Sequence, residues 1–462
     1  MRMKEQVFRK KTDYIVFIGL ILLFGYFTCF EEVRELSDSY QYLNQFVTRE
    51  PLYSLLLKGM KIVFGEQYLF PLCLFQNLLA VISVYWLYVR VTNLFEFPVL
   101  FELGVAILLV VPHIITPLAS QSGMIITNSV LTEGITFSLY YIWMGMMLTL
   151  LLRKYGHKKG SGIILSGLLA VGLALTRGQF LLCLAIWLLV SAYVLVMQKE
   201  YKKILLVFIG FIVLFFGKTY FTKTYNYLES GIFTNTVAGK PMMLANALYV
   251  ADIEDGIDIA NEDLHQAYEN MILLIDNEQL SIKYAEGNII EKAQFHEYGH
   301  ETINFDIIDP EIEAVIEKKD GITAKKYMHL MVKMDEYAGE IFGDILPHIF
   351  PKYIQNYFVI AALGFVRSIA IDRSIFSGYA VIMYILAIVL AVLSLRRNKD
   401  SNSAKFMLLS LLSIMGTVFG TSIMIECVSR YMIYNFPFFY IAGMAMLTEL
   451  WKSKKGIDTN GL

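Results

Sequence analysis

The chain is 462 residues long, 56% hydrophobic and 17% charged, with a formal net charge of -2. Soluble domains run at about 45–50% apolar and about 25% charged, so an ordinary water-soluble globule is excluded, and the near-neutral balance argues against a nucleic-acid partner. Charge is segregated: residues 222–355 carry 24 acids against 10 bases, and the remainder is net basic, the pattern of an acidic polar module set in a membrane body.

Apolar runs of spanning length predict an all-α polytopic membrane protein of about ten transmembrane helices. They lie near 13–30, 68–89, 98–117, 131–151, 162–176, 179–197, 204–221, 376–395, 405–425 and 432–450. The first run ends at Glu31-Glu32 with no small-residue cleavage site, so it is expected to stay as a helix. Every second loop is basic: Arg2, Lys4, Arg9, Lys10 and Lys11; Arg90; Arg153, Lys154, Lys158 and Lys159; Lys199, Lys202 and Lys203; Arg396, Arg397, Lys399 and Lys405; Lys452, Lys454 and Lys455. Positive charge stays on the cytoplasmic side, so both termini are expected inside, with the cell membrane as the location.

Three parts follow from this register. Residues 1–221 form a first membrane part of about seven helices with a first outer loop at 31–67. Residues 222–355 form a mainly helical extracytoplasmic domain, in which Ile312, Val315 and Ile316 recur at helical spacing after Pro310. Residues 356–462 form a second membrane part of about three helices, with the Arg367-bearing segment 357–371 expected as a short interfacial helix. The four cysteines, Cys29, Cys73, Cys183 and Cys427, sit in or beside apolar runs with no CxxC pair, which reads as buried small hydrophobes. Cys29 and Cys427 fall at expected outer helix ends, which leaves a disulfide open, with no further signal for it.

Polar residues collect at the outer ends of the spans. The first outer loop holds Ser37-Asp38-Ser39-Tyr40 and Arg49-Glu50-Pro51, and Pro51 suits the start of an interfacial helix over Leu52–Phe64. Glu133 opens the fourth span, where it can satisfy helix amides or bind a divalent cation or a sugar hydroxyl. Arg177 lies in a tight outer turn, where it can snorkel or clamp a phosphate. Glu426 and Arg430 are four apart and can pair on a helix; Arg430, followed by Tyr431, can also reach a lipid phosphate.

His296-Glu297-Tyr298-Gly299-His300 is a literal HExxH, which on a helix offers His296 and His300 as zinc ligands and Glu297 as a general base. Its polar flanks and the lack of a third-ligand motif favour a solvated helix over a zinc peptidase. No Gly-rich phosphate loop or Ser-His-Asp order is present.

At Ser37-Asp38-Ser39-Tyr40, Arg49-Glu50-Pro51-Leu52-Tyr53, Leu131-Thr132-Glu133, Thr176-Arg177-Gly178 and Ser429-Arg430-Tyr431 the chain resembles the C-type glycosyltransferase superfamily, which includes protein O-mannosyltransferases and lipid A aminoarabinose transferases. The resemblance covers most of 1–221 and 356–450. It departs where family members often carry two adjacent acids (here Asp38-Ser39) and a proline after the arginine (here Arg177-Gly178). It implies a membrane transferase using a polyprenyl-phosphate sugar, with Asp38 as the base. Arg49, Glu133, Arg177, Arg430 and Tyr431 would bind the substrate and its lipid phosphate. Membrane lipid and an acceptor glycan, lipid or protein would be the partners. The competing class is a transporter or flippase of lipid-linked saccharides, which would use the same arginines.

Overall fold

The computed structural model describes residues 2–119, 125–152, 159–370 and 375–454. Among them the only bridge is an isolated one between Arg34 and Ser129, and everything else regular is helical. In chain order come α1 (Arg2–Phe30), two helices of the following loop, α2 (Ser37–Leu43) and α3 (Pro51–Phe64), then α4 (Leu69–Phe95), α5 (Val99–Ala119), α6 (Glu133–Leu152), α7 (Lys159–Thr176), α8 (Leu181–Met197) and α9 (Tyr201–Ser230). A helical cap follows: α10 (Gly239–Leu248), α11 (Glu262–Asn277), α12 (Ile289–Thr302), α13 (Asp309–Asp320) and the first part of α14 (Tyr327–Ile369). The bundle closes with α15 (Ile375–Arg397), α16 (Asn402–Ser422), the single turn α17 (Ser429–Met432) and α18 (Phe436–Lys454).

Among the described residues, eight helices are long and apolar enough to cross a membrane: α1, α4, α6, α8, α9, α14, α15 and α16. Large apolar side chains such as Leu22, Leu206, Val213 and Ile382 are exposed on them, an apolar belt that needs lipid as its solvent. The protein is a multi-pass, all-α membrane protein. Seven of the ten expected spans are in this set. Those at 98–117 and 162–176 are the apolar helices α5 and α7, and 432–450 is helical as α18; these three are not in the set.

Two expected boundaries move. Residue 221 is not the end of a helix, because α9 runs on to Ser230. Its cap-side half continues by burying a polar face, Lys218, Thr222, Tyr225 and Asn226, which hydropathy does not register. Residue 355 is likewise inside α14, and 357–369 is no separate interfacial helix but the end of that 43-residue helix. Pro347 and Pro351 lie within it; each removes one intrahelical hydrogen bond, yet flanking residues buried on both sides (Ile345 and Ile349, Tyr353 and Ile360) hold the helix together. The end of α14 lies across the cap-side ends of the last helices: the Tyr353 hydroxyl donates to the Ile423 carbonyl at 3.1 Å, and those of Tyr384 and Tyr440 donate to the carbonyls of Phe365 and Ile369.

The cap has its own core, including Leu244, Tyr268, Met271, Ile312, Ile316, Ile341 and Ile345. Ile312, Val315 and Ile316 are buried, as their spacing predicts. All four cysteines are free, with Cys29 exposed and the others buried, so Cys29 and Cys427 are not bridged. Of the basic loops, 153–158 lie outside the described residues. At the end of the bundle opposite the cap, Lys452 donates to the Glu96 carbonyl at 3.0 Å and Ser401 to Glu449 at 2.8 Å.

Candidate active site

The site is built by tying the loop between α1 and α4 to the segment before α6. Asn128 donates its side-chain amide to the carbonyls of Phe27 (2.7 Å) and Glu31 (3.1 Å) at the end of α1. Backbone bonds join Arg34 to Asn128 and Val130, both at 3.0 Å. Ser39 Oγ donates to the Val130 carbonyl at 2.7 Å, which fixes α2 above the start of α6. These buried polar groups are paired as a dry interior requires.

That scaffold brings Asp38, in the first turn of α2, opposite Arg49, at the end of the same loop. Arg49 Nη2 lies 2.7 Å from Asp38 Oδ1 and its Nε donates to Gln41 at 2.8 Å. Its guanidinium also covers the ring of Tyr42 at 5.1 Å. Arg430, from α17, approaches the other oxygen, Asp38 Oδ2, at 3.5 Å. Asp38 Oδ2 is therefore faced by a cation without being committed to a short hydrogen bond. A quarter of the Asp38 side chain is exposed.

A second pair adjoins the first. α7 ends at Thr176, the backbone of Arg177 is extended, and α8 begins after one turn of 3₁₀ helix. The Arg177 guanidinium bonds Glu133 Oε1 at 2.6 Å and lies over the Tyr431 ring at 4.0 Å. Arg430 lies over the same ring at 5.0 Å and donates to its hydroxyl at 3.0 Å. The six residues Asp38, Arg49, Glu133, Arg177, Arg430 and Tyr431 thus form one network from separate parts of the chain. Arg430 is the most open of its arginines, with 35% of the side chain exposed.

Glu133 has both oxygens engaged, one by Arg177 and one by Thr132 Oγ1 at 3.0 Å. Among the described residues no group of three His, Cys, Asp or Glu side chains is arranged to hold a metal ion. The expected Glu426–Arg430 pair does not form, because Glu426 precedes α17 and the i,i+4 rule needs one continuous helix; Glu426 pairs with His300 at 2.8 Å.

His296 and His300 are not part of this network, nor are they on a solvated helix. Both are buried between the cap and residues 423–427. Burial and the charge of His300 push His296 down to about 3. Burial alone would lower His300 too, but the adjoining Glu426 carboxylate outweighs it and raises it.

Lys218 and Glu50 complete the surroundings. Lys218 Nζ lies 2.6 Å from Glu50 Oε1, both side chains being at most one-tenth exposed. A Cβ on Gly178 would stand 3.8 Å from that same oxygen, so the pair adjoins the Arg177 turn. A lone lysine inside an apolar run was the available signal; its partner, 168 residues away, had none. No family model, curated protein or solved structure gives a significant match to the chain.

Proposed function

We propose that the protein is a membrane glycosyltransferase that moves a sugar from a polyprenyl-phosphate donor to an acceptor at the outer face of the cell membrane, with both termini cytoplasmic and the cap outside. The convergence of Asp38, Arg49, Glu133, Arg177, Arg430 and Tyr431 carries this reading. Three guanidinium groups at the cap-side end of a lipid-exposed bundle suit a phosphate that arrives on a lipid tail. The acceptor hydroxyl oxygen attacks the anomeric carbon, its proton passes to Asp38 Oδ2, and the bond to the phosphate oxygen breaks with its electron pair leaving on the polyprenyl phosphate. Arg177 and Arg430 stabilise the charge on that leaving group. Transporter sites tend to lie at mid-membrane in broken helices, and this network is at one end of its bundle, which favours transfer over flipping.

The test uses the full chain in nanodiscs, a panel of radiolabelled undecaprenyl-phosphate hexoses and pentoses, and cell-envelope fractions as acceptors. Transfer from at least one donor is expected, with Asp38→Asn slower by about 10²-fold or more. Absence of transfer across the panel, or a wild-type rate for Asp38→Asn, would sink the proposal.

A further inference from the structure

The HExxH run is the one sequence motif the site leaves unused. In α12 its two histidines share a face, and that face is packed against the turn that follows α16. His300 Nδ1 meets Glu426 Oε2 at 2.8 Å, and its Nε2 faces the Met242 carbonyl at 3.2 Å. Both of its ring nitrogens are thereby occupied, which leaves no lone pair for a metal. Glu297 takes the other side. Its oxygens accept from Arg367 Nη1 and Nη2 at 3.0 and 2.7 Å, and Arg367 Nη1 also donates to the Cys427 carbonyl at 2.9 Å. The motif therefore holds two consecutive residues, the Glu426 side chain through His300 and the Cys427 backbone through Arg367.

The same turn is gripped from other sides. The Ile423 carbonyl accepts from the Tyr353 hydroxyl at 3.1 Å and from Asn246 at 3.4 Å. Gly364 of α14 lies so close that a Cβ there would come within 2.8 Å of the Cys427 sulfur. Three residues beyond Cys427 stands Arg430, the open arginine of the site, and next to it Tyr431.

We infer that α12 is a latch: Glu297 through Arg367, and His300 through Glu426, fix the backbone of residues 426–428 and thereby set Arg430 and Tyr431 against Asp38 and Arg177. Glu297, His300, Arg367 and Glu426 are positioning residues, since they act through the turn that carries Arg430 and Tyr431. The claim rests on the transferase reading only for what Arg430 binds.

The His300 half of the latch responds to pH. The groups around His300 are Glu426 on the turn, His296 and Glu301 on its own helix, and the Glu297–Arg367 pair towards α14. His300 is raised above its ordinary value, so its charge pair with Glu426 is complete below the ordinary histidine range and is lost as pH rises through the raised value. Arg367 keeps its charge throughout.

The experiment uses the full chain in nanodiscs and undecaprenyl phosphate as the probe, with hydrogen exchange of residues 426–432 read in parallel. Glu297→Gln, His300→Gln, Glu426→Gln and Arg367→Lys are each expected to raise exchange in that stretch and to weaken probe binding by about tenfold. Wild-type affinity is expected to fall as pH rises above the ordinary histidine value of about 6.5, and the His300→Gln profile to be flat over the same range. Unchanged exchange at 426–432 in all four variants overturns the latch, as does exchange that rises throughout the cap in all of them or one zinc ion per purified chain. Raised local exchange with no probe binding by the wild type would keep the latch and remove the transferase reading. Probe binding with unchanged exchange would do the reverse.

Discussion

Arg177 lies with its guanidinium carbon 4.0 Å from the centroid of the Tyr431 ring, so the turn after α7 and the single turn α17 form one surface. The ring also carries the hydroxyl that accepts from Arg430 at 3.0 Å. Tyr431→Phe keeps the face and loses the acceptor; Tyr431→Leu loses both. Loss of one neutral-to-charged hydrogen bond costs about 1.5 kcal/mol, and a partly desolvated cation–π contact about 1–2 kcal/mol more. Undecaprenyl phosphate affinity is therefore expected to drop about tenfold in the phenylalanine variant and about 10²-fold in the leucine variant. Equal losses, measured by equilibrium binding in nanodiscs, would assign the effect to the hydroxyl alone.

Glu133 holds Arg177 from the other side at 2.6 Å, with its own side chain 5% exposed. Glu133→Gln leaves that arginine without its nearest counter-charge, and breaking a buried pair from one side costs about 3–5 kcal/mol. The thermal midpoint of the chain should fall clearly. Arg177→Lys should keep the pair yet lose the planar fork and the ring contact, so its midpoint should fall less while its probe affinity falls more. The opposite ranking would mean that Arg177 is there for stability and not for binding.

Lys218 and Glu50 pair at 2.6 Å between α9 and the start of α3. Lys58 and Glu229 join the same two helices at 2.7 Å nearer the cap. Removing only one member of the Lys218–Glu50 pair strands a buried charge, whereas replacing both with apolar residues of similar size removes the problem. Lys218→Met and Glu50→Gln are each expected to lower the thermal midpoint more than the double variant Lys218→Met with Glu50→Leu. A double variant as unstable as the sum of the two singles would show that the polar contacts of the site depend on this pair in some further way.

The charged residues that meet in the network stood out because a carboxylate or guanidinium at the edge of an apolar run is conspicuous, and Asp38, Glu133, Arg177 and Arg430 all have that placement. Their pairing was not legible: the Arg177–Glu133 bond spans 44 positions and the contact to Tyr431 comes from the far end of the chain. Lys218 carried a signal, as the one charge within its apolar run, but its function depends on where Glu50 falls in space. The HExxH spacing did give a shared helix face. What the motif meets is set by Glu426 on that face and by Arg367 on the other, both on elements that local pattern does not relate to α12. The boundaries at 221 and 355 failed for one reason: hydropathy marks where lipid contact ends, while α9 and α14 continue as helices into polar packing.

Sidedness gives a prediction of its own. Tyr298 of the cap is 76% exposed, and Asn398 lies in the turn between α15 and α16 at the opposite end. With Cys29, the exposed native thiol, replaced by serine, a membrane-impermeant maleimide applied to intact cells should label Tyr298→Cys and leave Asn398→Cys unlabelled until the cells are opened. The reverse pattern would invert the positive-inside assignment and place the network on the cytoplasmic face.

Asp309 opens α13 and is half-buried in the cap. Burial, with the charges of Glu313 and Asp306 added to it, raises its carboxyl to about 7. An acid raised on folding binds its proton more tightly in the folded cap than in the unfolded chain. Its contribution is complete below the ordinary aspartate value of about 4 and is lost as pH rises through about 7. Asp309→Asn removes the charge at every pH and so removes this slope. Hydrogen exchange of α11 and α13 in the full chain, corrected for intrinsic rates, should show wild-type protection falling between about pH 4 and about pH 7. The asparagine variant should hold steady and be the better protected of the two at about pH 8. Should the two proteins lose protection in parallel across that window, another group in the cap carries the titration, and the acids gathered at the start of α13 are tolerated in their charged form.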